Sequence, residues 1–315
     1  MKHTLSILGV LLAASALSYG GSTEQCSVAI VSRNPAAGSQ ICDPKTVAEL
    51  ARQGHVFEQN QLGLASILVV GSGFDAKSAV GWFEKAAQKG YAPAQVNLAV
   101  LYSNGWGVPQ NYGAALRWLH EAADQHYAPA YFNLGELYFR GTGVKQDYAE
   151  ALRYFQLGAD GGDTYAQTNL GYLYDRGLGV KPDIAAAMRW YRKAADAGNP
   201  MAQSNLADLY TKGEGVPRDE AEAFRLYQAA AAKGHTGAQI QLAYRLALGV
   251  GTGKDQKSAL AWVTAASAAG DNRGQELLRT LRSQLSPSDV KRASESAVQL
   301  QASTGLAGRS AMLQP

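Results

Sequence analysis

One spacing constrains this 315-residue chain more than any other feature: residues repeat every 36 positions. Alanine recurs at Ala94, Ala130, Ala166, Ala202 and Ala238, and leucine at Leu98, Leu134, Leu170, Leu206 and Leu242. Tyrosine follows at Tyr102, Tyr138, Tyr174 and Tyr210. A Gly-x-Gly pair comes next, at Gly105/Gly107, Gly141/Gly143, Gly177/Gly179, Gly213/Gly215 and Gly249/Gly251. A second alanine column, Ala115 to Ala259, and a closing glycine at Gly162, Gly198, Gly234 or Gly270 keep the same register. A degraded copy precedes these, with Leu62, Gly71, Asp75, Ala79, Trp82 and Gly90 in step. Terminal repeats are usually atypical because one face lacks a neighbour. The array is therefore placed at 58–273, as repeats 58–93, 94–129, 130–165, 166–201, 202–237 and 238–273.

Each repeat has a physical reading. Ala94, Leu98 and Leu101 fall at i, i+4 and i+7, one stripe of a helix. The Gly-x-Gly pair ends that helix, because glycine accepts the left-handed backbone of a C-terminal cap. A second helix starts at Asp75, Asn111, Asp147, Asp183, Asp219 and Asp255. Those side chains accept backbone N–H bonds at an N-cap, worth about 1 kcal/mol each. Two helices, a short turn and no strand pattern make an all-α chain, a right-handed α/α solenoid of about six helix pairs.

The string Ala-x-x-x-Leu-Gly-x-x-Tyr-x-x-Gly-x-Gly-Val at 166–180 resembles the Sel-one-like repeat (SLR) family, relatives of the tetratricopeptide repeat. So does Asp-x-x-x-Ala-x-x-Trp-Tyr-x-x-Ala-Ala-x-x-Gly at 183–198. The first and last repeats depart from it; Leu246 stands for the tyrosine and Thr252 for the valine. The resemblance implies an adaptor or scaffold that binds a partner protein. It also implies an exported bacterial member, a class linked to envelope assembly, secretion and host contact.

The flanks fit export. Residues 1–20 read as a cleavable signal peptide: Lys2 and His3, then an apolar stretch from Leu5 to Leu17, then small residues. That stretch is shorter than the roughly 20 residues of a membrane span. A periplasmic or secreted location follows, with peripheral or no membrane contact. In the segment 21–57, residues 21–41 look irregular and Asp43-Pro44 opens a helix to about Arg52. Export makes a Cys26–Cys42 disulfide plausible. Helices at 274–302 are expected to cap the array, before a loose tail at 303–315. The net charge of +3, without a basic run, argues against nucleic acid, and nothing calls for more than a monomer.

Strings that imitate active sites fall inside repeat chemistry. Gly249-x-Gly251-x-Gly253-Lys254 lacks the phosphate-loop spacing, since Leu248 stands where glycine is needed. Ser288-x-x-Lys291 matches a nucleophile string of penicillin-recognising enzymes, but no Lys-Thr-Gly accompanies it. The five histidines form no metal-ligand spacing. No catalytic residue, cofactor or metal is expected; a cell-wall-binding, β-lactam-hydrolysing or polysaccharide-binding protein is the rival reading.

A partner is expected on the concave face, lined by first helices. Asn97, Asn133, Asn169 and Asn205 recur there, as stack-holding amides or as a ladder for a partner's backbone. The variable positions nearby carry Phe132, Glu136, Phe139, Tyr172, Asp175, Asp208 and Tyr244. Aromatics beside polar groups are common in recognition surfaces.

Overall fold

The computed structural model describes residues 26–27, 40–41, 44–68 and 75–303. The signal segment, Cys42 with its pairing to Cys26, Gly71 and residues 304–315 lie outside them. Two short strands, β1 (Cys26–Ser27) and β2 (Gln40–Ile41), pair in parallel, where the sequence suggested irregular chain. All else of regular structure among the described residues is helical.

Helix α1 (Pro44–Gln53) precedes six first-and-second-helix pairs. They are α2 (Val56–Leu68) with α3 (Ala76–Ala87), α4 (Ala92–Asn104) with α5 (Tyr112–Ala123), and α6 (Ala128–Arg140) with α7 (Tyr148–Asp160). Then come α8 (Thr164–Arg176) with α9 (Ile184–Asp196), α10 (Pro200–Lys212) with α11 (Glu220–Ala232), and α12 (Thr236–Leu248) with α13 (Gln256–Ala268). A 3-10 turn (Asn272–Gly274) leads to α14 (Gln275–Gln284) and α15 (Pro287–Ser303). The chain forms two compact bodies, one through Ala166 and one from Gln167.

The capping column forms as its chemistry dictates. Ser78 N–H donates to Asp75 Oδ1 at 2.9 Å, and Ala114 N–H to Asn111 Oδ1 at 3.0 Å. Asp147, Asp183, Asp219 and Asp255 accept likewise at the starts of α7, α9, α11 and α13. The glycine pair does two jobs. At the end of α12, Gly249 has φ +75° and its N–H donates to the Arg245 carbonyl at 2.8 Å. Gly251, at φ +69°, lies so near the start of α11 that a Cβ there would sit 2.0 Å from the Glu220 carbonyl oxygen. One glycine turns the chain and the other seats the turn on the preceding repeat.

In the N-terminal body the core runs from Leu64 through Phe83, Leu98 and Leu119 to Leu134. In the C-terminal body it runs from Ala187 and Tyr191 through Leu206, Tyr227 and Leu242 to Leu281 on α14 and Ala293 on α15. Alanines at 0% exposure in the first-helix column, Ala94 to Ala238, and in the second-helix column, Ala115 to Ala259, let the helices approach closely.

A glutamine column holds successive helices together. Gln59, Gln95, Gln203 and Gln239, four residues into their helices' flanks, donate to the carbonyls of Ala51, Ala87, Ala195 and Ala231 at 3.0–3.3 Å. In α6 the Tyr131 hydroxyl takes that role, donating to Ala123 at 2.8 Å. The residue before each first helix varies more. Asp163 accepts from Ala166 N–H, Asn199 from Met201 and Ala202, and His235, through Nδ1, from Ala238. Tyr91 and Tyr127 give no side-chain cap; proline in the first turn stands there instead.

Candidate functional site

The first helices place the expected partner residues in different environments. In the N-terminal body, α4 is buried at every position from Ala92 to Leu101. Asn97 is 1% exposed and donates to Asn60 Oδ1 at 2.9 Å, a bond between adjacent first helices. Asn133 is buried and donates to its own helix, to the Pro129 carbonyl at 2.8 Å. Phe132, expected at the partner face, is instead 2% exposed, tilted against Phe155 and Tyr165 with centroids 6.0 and 5.8 Å away. Phe132 is thus a packing residue and not a surface one, while Asn97 makes the stack-holding bond that was one of the two roles open to its column. Glu136 holds Arg140 through Nε and NH2, each at 2.7 Å. Phe139 is half-buried against Tyr148 and Phe155.

The C-terminal body keeps its strip nearer to solvent. Tyr172 is 36% exposed, with the Arg176 guanidinium 5.8 Å from its ring centre. Asp175 is half-buried, with Arg176 Nε 3.6 Å away. Asn169, Asn205, Asp208 and Tyr244 are half-buried. Asp208 Oδ1 accepts a short bond from the Tyr227 hydroxyl. Burial, with Asp208 next in weight, pushes the Tyr227 phenol well above its ordinary value of 10.0. Four of the expected contacts, Tyr172, Asp175, Asp208 and Tyr244, therefore line the first-helix face of this body with polar or aromatic surface reaching solvent.

Arg245 belongs to this face and escaped the sequence reading. It is 6% exposed and occupies a column that holds Ala65 in the first repeat and then Leu101, Leu137, Leu173 and Leu209. Its guanidinium donates to Thr211 Oγ1 at 2.5 Å and Gln241 Oε1 at 3.1 Å, lies 3.6 Å from Glu220 and covers the Tyr227 ring. A charged residue after four successive leucines in one column was the signal available.

The Ser288-x-x-Lys291 string opens α15. Ser286 Oγ accepts from Asp289 N–H at the start of α15, and the exposed Ser288 hydroxyl lies 3.0 Å from Ser286 Oγ. Lys291 is exposed on the same turn. Among the described residues there is no group of three or more His, Cys, Asp or Glu placed to hold a metal ion. None of the described helices is long and apolar enough to cross a membrane.

Comparison with known proteins agrees with this architecture. The Sel1 repeat matches six times, at 61–91, 92–127, 128–163, 164–199, 200–235 and 236–271. A Sel1 repeat protein from Oxalobacter formigenes is 32% identical, with a TM-score of 0.62 over 70% of this chain and 95% of that one. A protective antigen of uropathogenic Escherichia coli strains, displaying an SLR fold, is 26% identical over 86% of this chain and 66% of its own, with a TM-score of 0.49. Immunity protein Pa5087 from Pseudomonas aeruginosa is 21% identical over 77% and 84%, with a TM-score of 0.47. No curated protein matches the chain. Six matches spanning two-thirds of the sequence, on an all-α solenoid of helix pairs, make this chain a member of the Sel1 repeat family.

Proposed function

We propose that this chain is an exported scaffold that binds a partner protein through the first-helix face of its C-terminal body. The observation that carries the reading is the strip of Tyr172, Asp175, Asp208 and Tyr244. Large aromatic and charged groups reach solvent there, while Val100, the α4 residue that matches Tyr172, Asp208 and Tyr244, is sealed in the core. Aromatic anchors among polar groups suit a protein interface. Sel1 repeats supply a scaffold for such contacts, and the apolar stretch from Leu5 to Leu17 supports export.

Cross-linking in intact cells, followed by mass spectrometry, tests this. The double change Tyr172→Ala and Tyr244→Ala should cut recovery of the cross-linked partner about tenfold, the scale of losing central interface anchors. The melting temperature should change little for these partly exposed residues. Full recovery from a folded double variant would move the interface elsewhere. N-terminal sequencing of the protein recovered from the envelope tests export, with a start near residue 21 expected.

A further inference from the structure

The geometry points to a second docking site, a groove between α13 and α15 that takes an acidic peptide segment carrying a large apolar side chain. The groove shares no residue with the first-helix strip, and stands or falls without it.

The two helices run side by side in the same direction. Near their starts Lys257 Nζ lies 3.0 Å from Asp289 Oδ1, and farther along Gln301 Nε2 donates to the Ala265 carbonyl at 3.3 Å. Along this run they do not close on each other. A groove of about 580 Å³ remains, within the size range of sites that hold a ligand. The gap has a cause in side-chain size. Trp262 stands in the column of Trp118, which the N-terminal core buries. At Trp262, α15 meets the groove with the small side chains of Ala293, Ser296 and Ser303, and the indole is left half-buried.

The charge of the groove is unbalanced. Lys257 and Arg292 line it, and among the described residues no carboxylate does. Asp289, beside them, answers both cations with one oxygen: Arg292 NH2 lies 2.6 Å and Lys257 Nζ 3.0 Å from its Oδ1. Its other oxygen accepts from the Ser286 hydroxyl at 2.9 Å. Asp255 is turned to the start of α13, where it accepts from the Lys257 and Ser258 amides and the Ser258 hydroxyl. Both cations are exposed, and exposed pairs of this kind contribute little. A carboxylate from outside is therefore met by two cations that share one carboxylate between them.

The rest of the lining selects what carries that carboxylate. Ala261, Ala293 and Leu300 continue the apolar surface of the Trp262 ring. Saccharide hydroxyls laid there would be buried without partners, at a cost. An aliphatic or aromatic side chain fits, and Ser258, Ser296 and Gln299 offer polar groups to the peptide units beside it. Residues 304–315, which follow Ser303, do not answer this description: they carry Arg309 and neither Asp nor Glu.

The test is fluorescence polarisation of a short labelled peptide with two leucines and two glutamates between glycines, added to the purified full chain. The wild-type chain should bind it, and should bind the version with glutamine for glutamate about tenfold more weakly. The net charge of +3 attracts any acidic peptide, so variants locate the site. Lys257→Gln with Arg292→Gln should weaken binding about tenfold. Lys85→Gln with Arg117→Gln removes the same charge from exposed positions of the N-terminal body and should change it less than about twofold. Ser296→Phe, an exposed change that fills the groove and leaves every charge in place, should weaken binding about tenfold with the melting temperature kept. No binding by the wild-type chain overturns the inference, as does equal binding of a peptide with glycine for leucine. Equal loss in the two charge variants, or full binding by a folded Ser296→Phe, overturns it too. Displacement of the peptide by an oligogalacturonate at a lower concentration than by unlabelled peptide would make the ligand a saccharide and overturn it as well. None of these outcomes bears on the cross-linking at Tyr172 and Tyr244.

Discussion

His126 Nδ1 lies 3.3 Å from the Tyr131 hydroxyl, and each residue departs from its column in the same repeat boundary. His126 stands where Gly90, Gly162, Gly198, Gly234 and Gly270 stand, and Tyr131 where glutamine joins successive helices. The backbone requirement did not relax with the substitution: His126 has φ +56°, the one non-glycine residue with positive φ among those described. Left-handed backbone costs a side-chain-bearing residue about 1–2 kcal/mol, part of which glycine gives back in chain entropy. His126→Gly should therefore raise stability by about 0.5–1 kcal/mol in urea unfolding. A loss instead would show that the contact with Tyr131 outweighs the strain.

Gly251 and Gly270 separate two costs that a glycine can hide. Both have positive φ, +69° and +89°. A Cβ at Gly270 meets nothing within 4 Å, whereas one at Gly251 runs into the Glu220 carbonyl. Gly270→Ala should cost about 1 kcal/mol, the backbone penalty alone. Gly251→Ala should cost about 3 kcal/mol or more, because a backbone atom must move. Equal melting temperatures for the two variants would refute the contact.

Acid should act oppositely on two helix starts. Burial pushes Asp163, in the N-terminal body, up from 3.8 to about 6, against the pull of the Ala166 and Tyr165 amides. The folded chain therefore holds a proton at a pH where the unfolded chain has lost it, and this site gains stability as pH falls from about 6 toward 3.8. Asp163→Asn keeps a capping oxygen without charge, as Asn199 does one repeat later. It should stabilise the protein by about 1–3 kcal/mol at pH 8, and the gain should vanish near pH 4. In the C-terminal body, burial and then Arg273 lower the His235 pKa, with Asp271 opposing. The cap needs its neutral Nδ1. Below the ordinary value of 6.5 the unfolded chain takes up a proton that the folded chain resists, so stability is lost as pH falls through that value. His235→Asn should remove this loss, as read by melting temperature at pH 7 and pH 5.

Arg245→Leu restores the leucine column. Burying a charge carries a desolvation cost that its pairing only partly repays, and replacing a buried pair by apolar groups is often neutral or stabilising. Glu220 keeps Arg218 at 2.6 Å, so it is not orphaned by the change. The variant should unfold at the same denaturant concentration or higher, by up to about 2 kcal/mol. Marked destabilisation would show that the guanidinium's bond to Thr211 holds α10 and α12 together.

The repeat, its capping aspartates and its turn glycines were legible in the sequence because each is a local rule about one backbone group. The segment 274–302, expected to be helical, holds α14 and α15, which runs from Pro287 to Ser303. The partner strip was legible only in part. Helical spacing places the columns of Phe132 and Tyr172 four positions apart, on one face of the first helix. It does not tell that Phe155 and Tyr165 close over the first, while the second stays open. That depends on the size of side chains on neighbouring helices. The glutamine column and Arg245 were readable and went unread, since neither fits an amphipathic template.

The contact of Gly251 with the start of α11 fixes the grain in which this molecule can change length. Each first helix must end where its turn lands on the helix behind it, so an insertion within a repeat misses its seat. Adding or removing a whole repeat leaves the seat unaltered. Length, and with it the extent of surface offered, is thus quantised in steps of one helix pair, and variants with a duplicated interior repeat should fold where those with half of one do not.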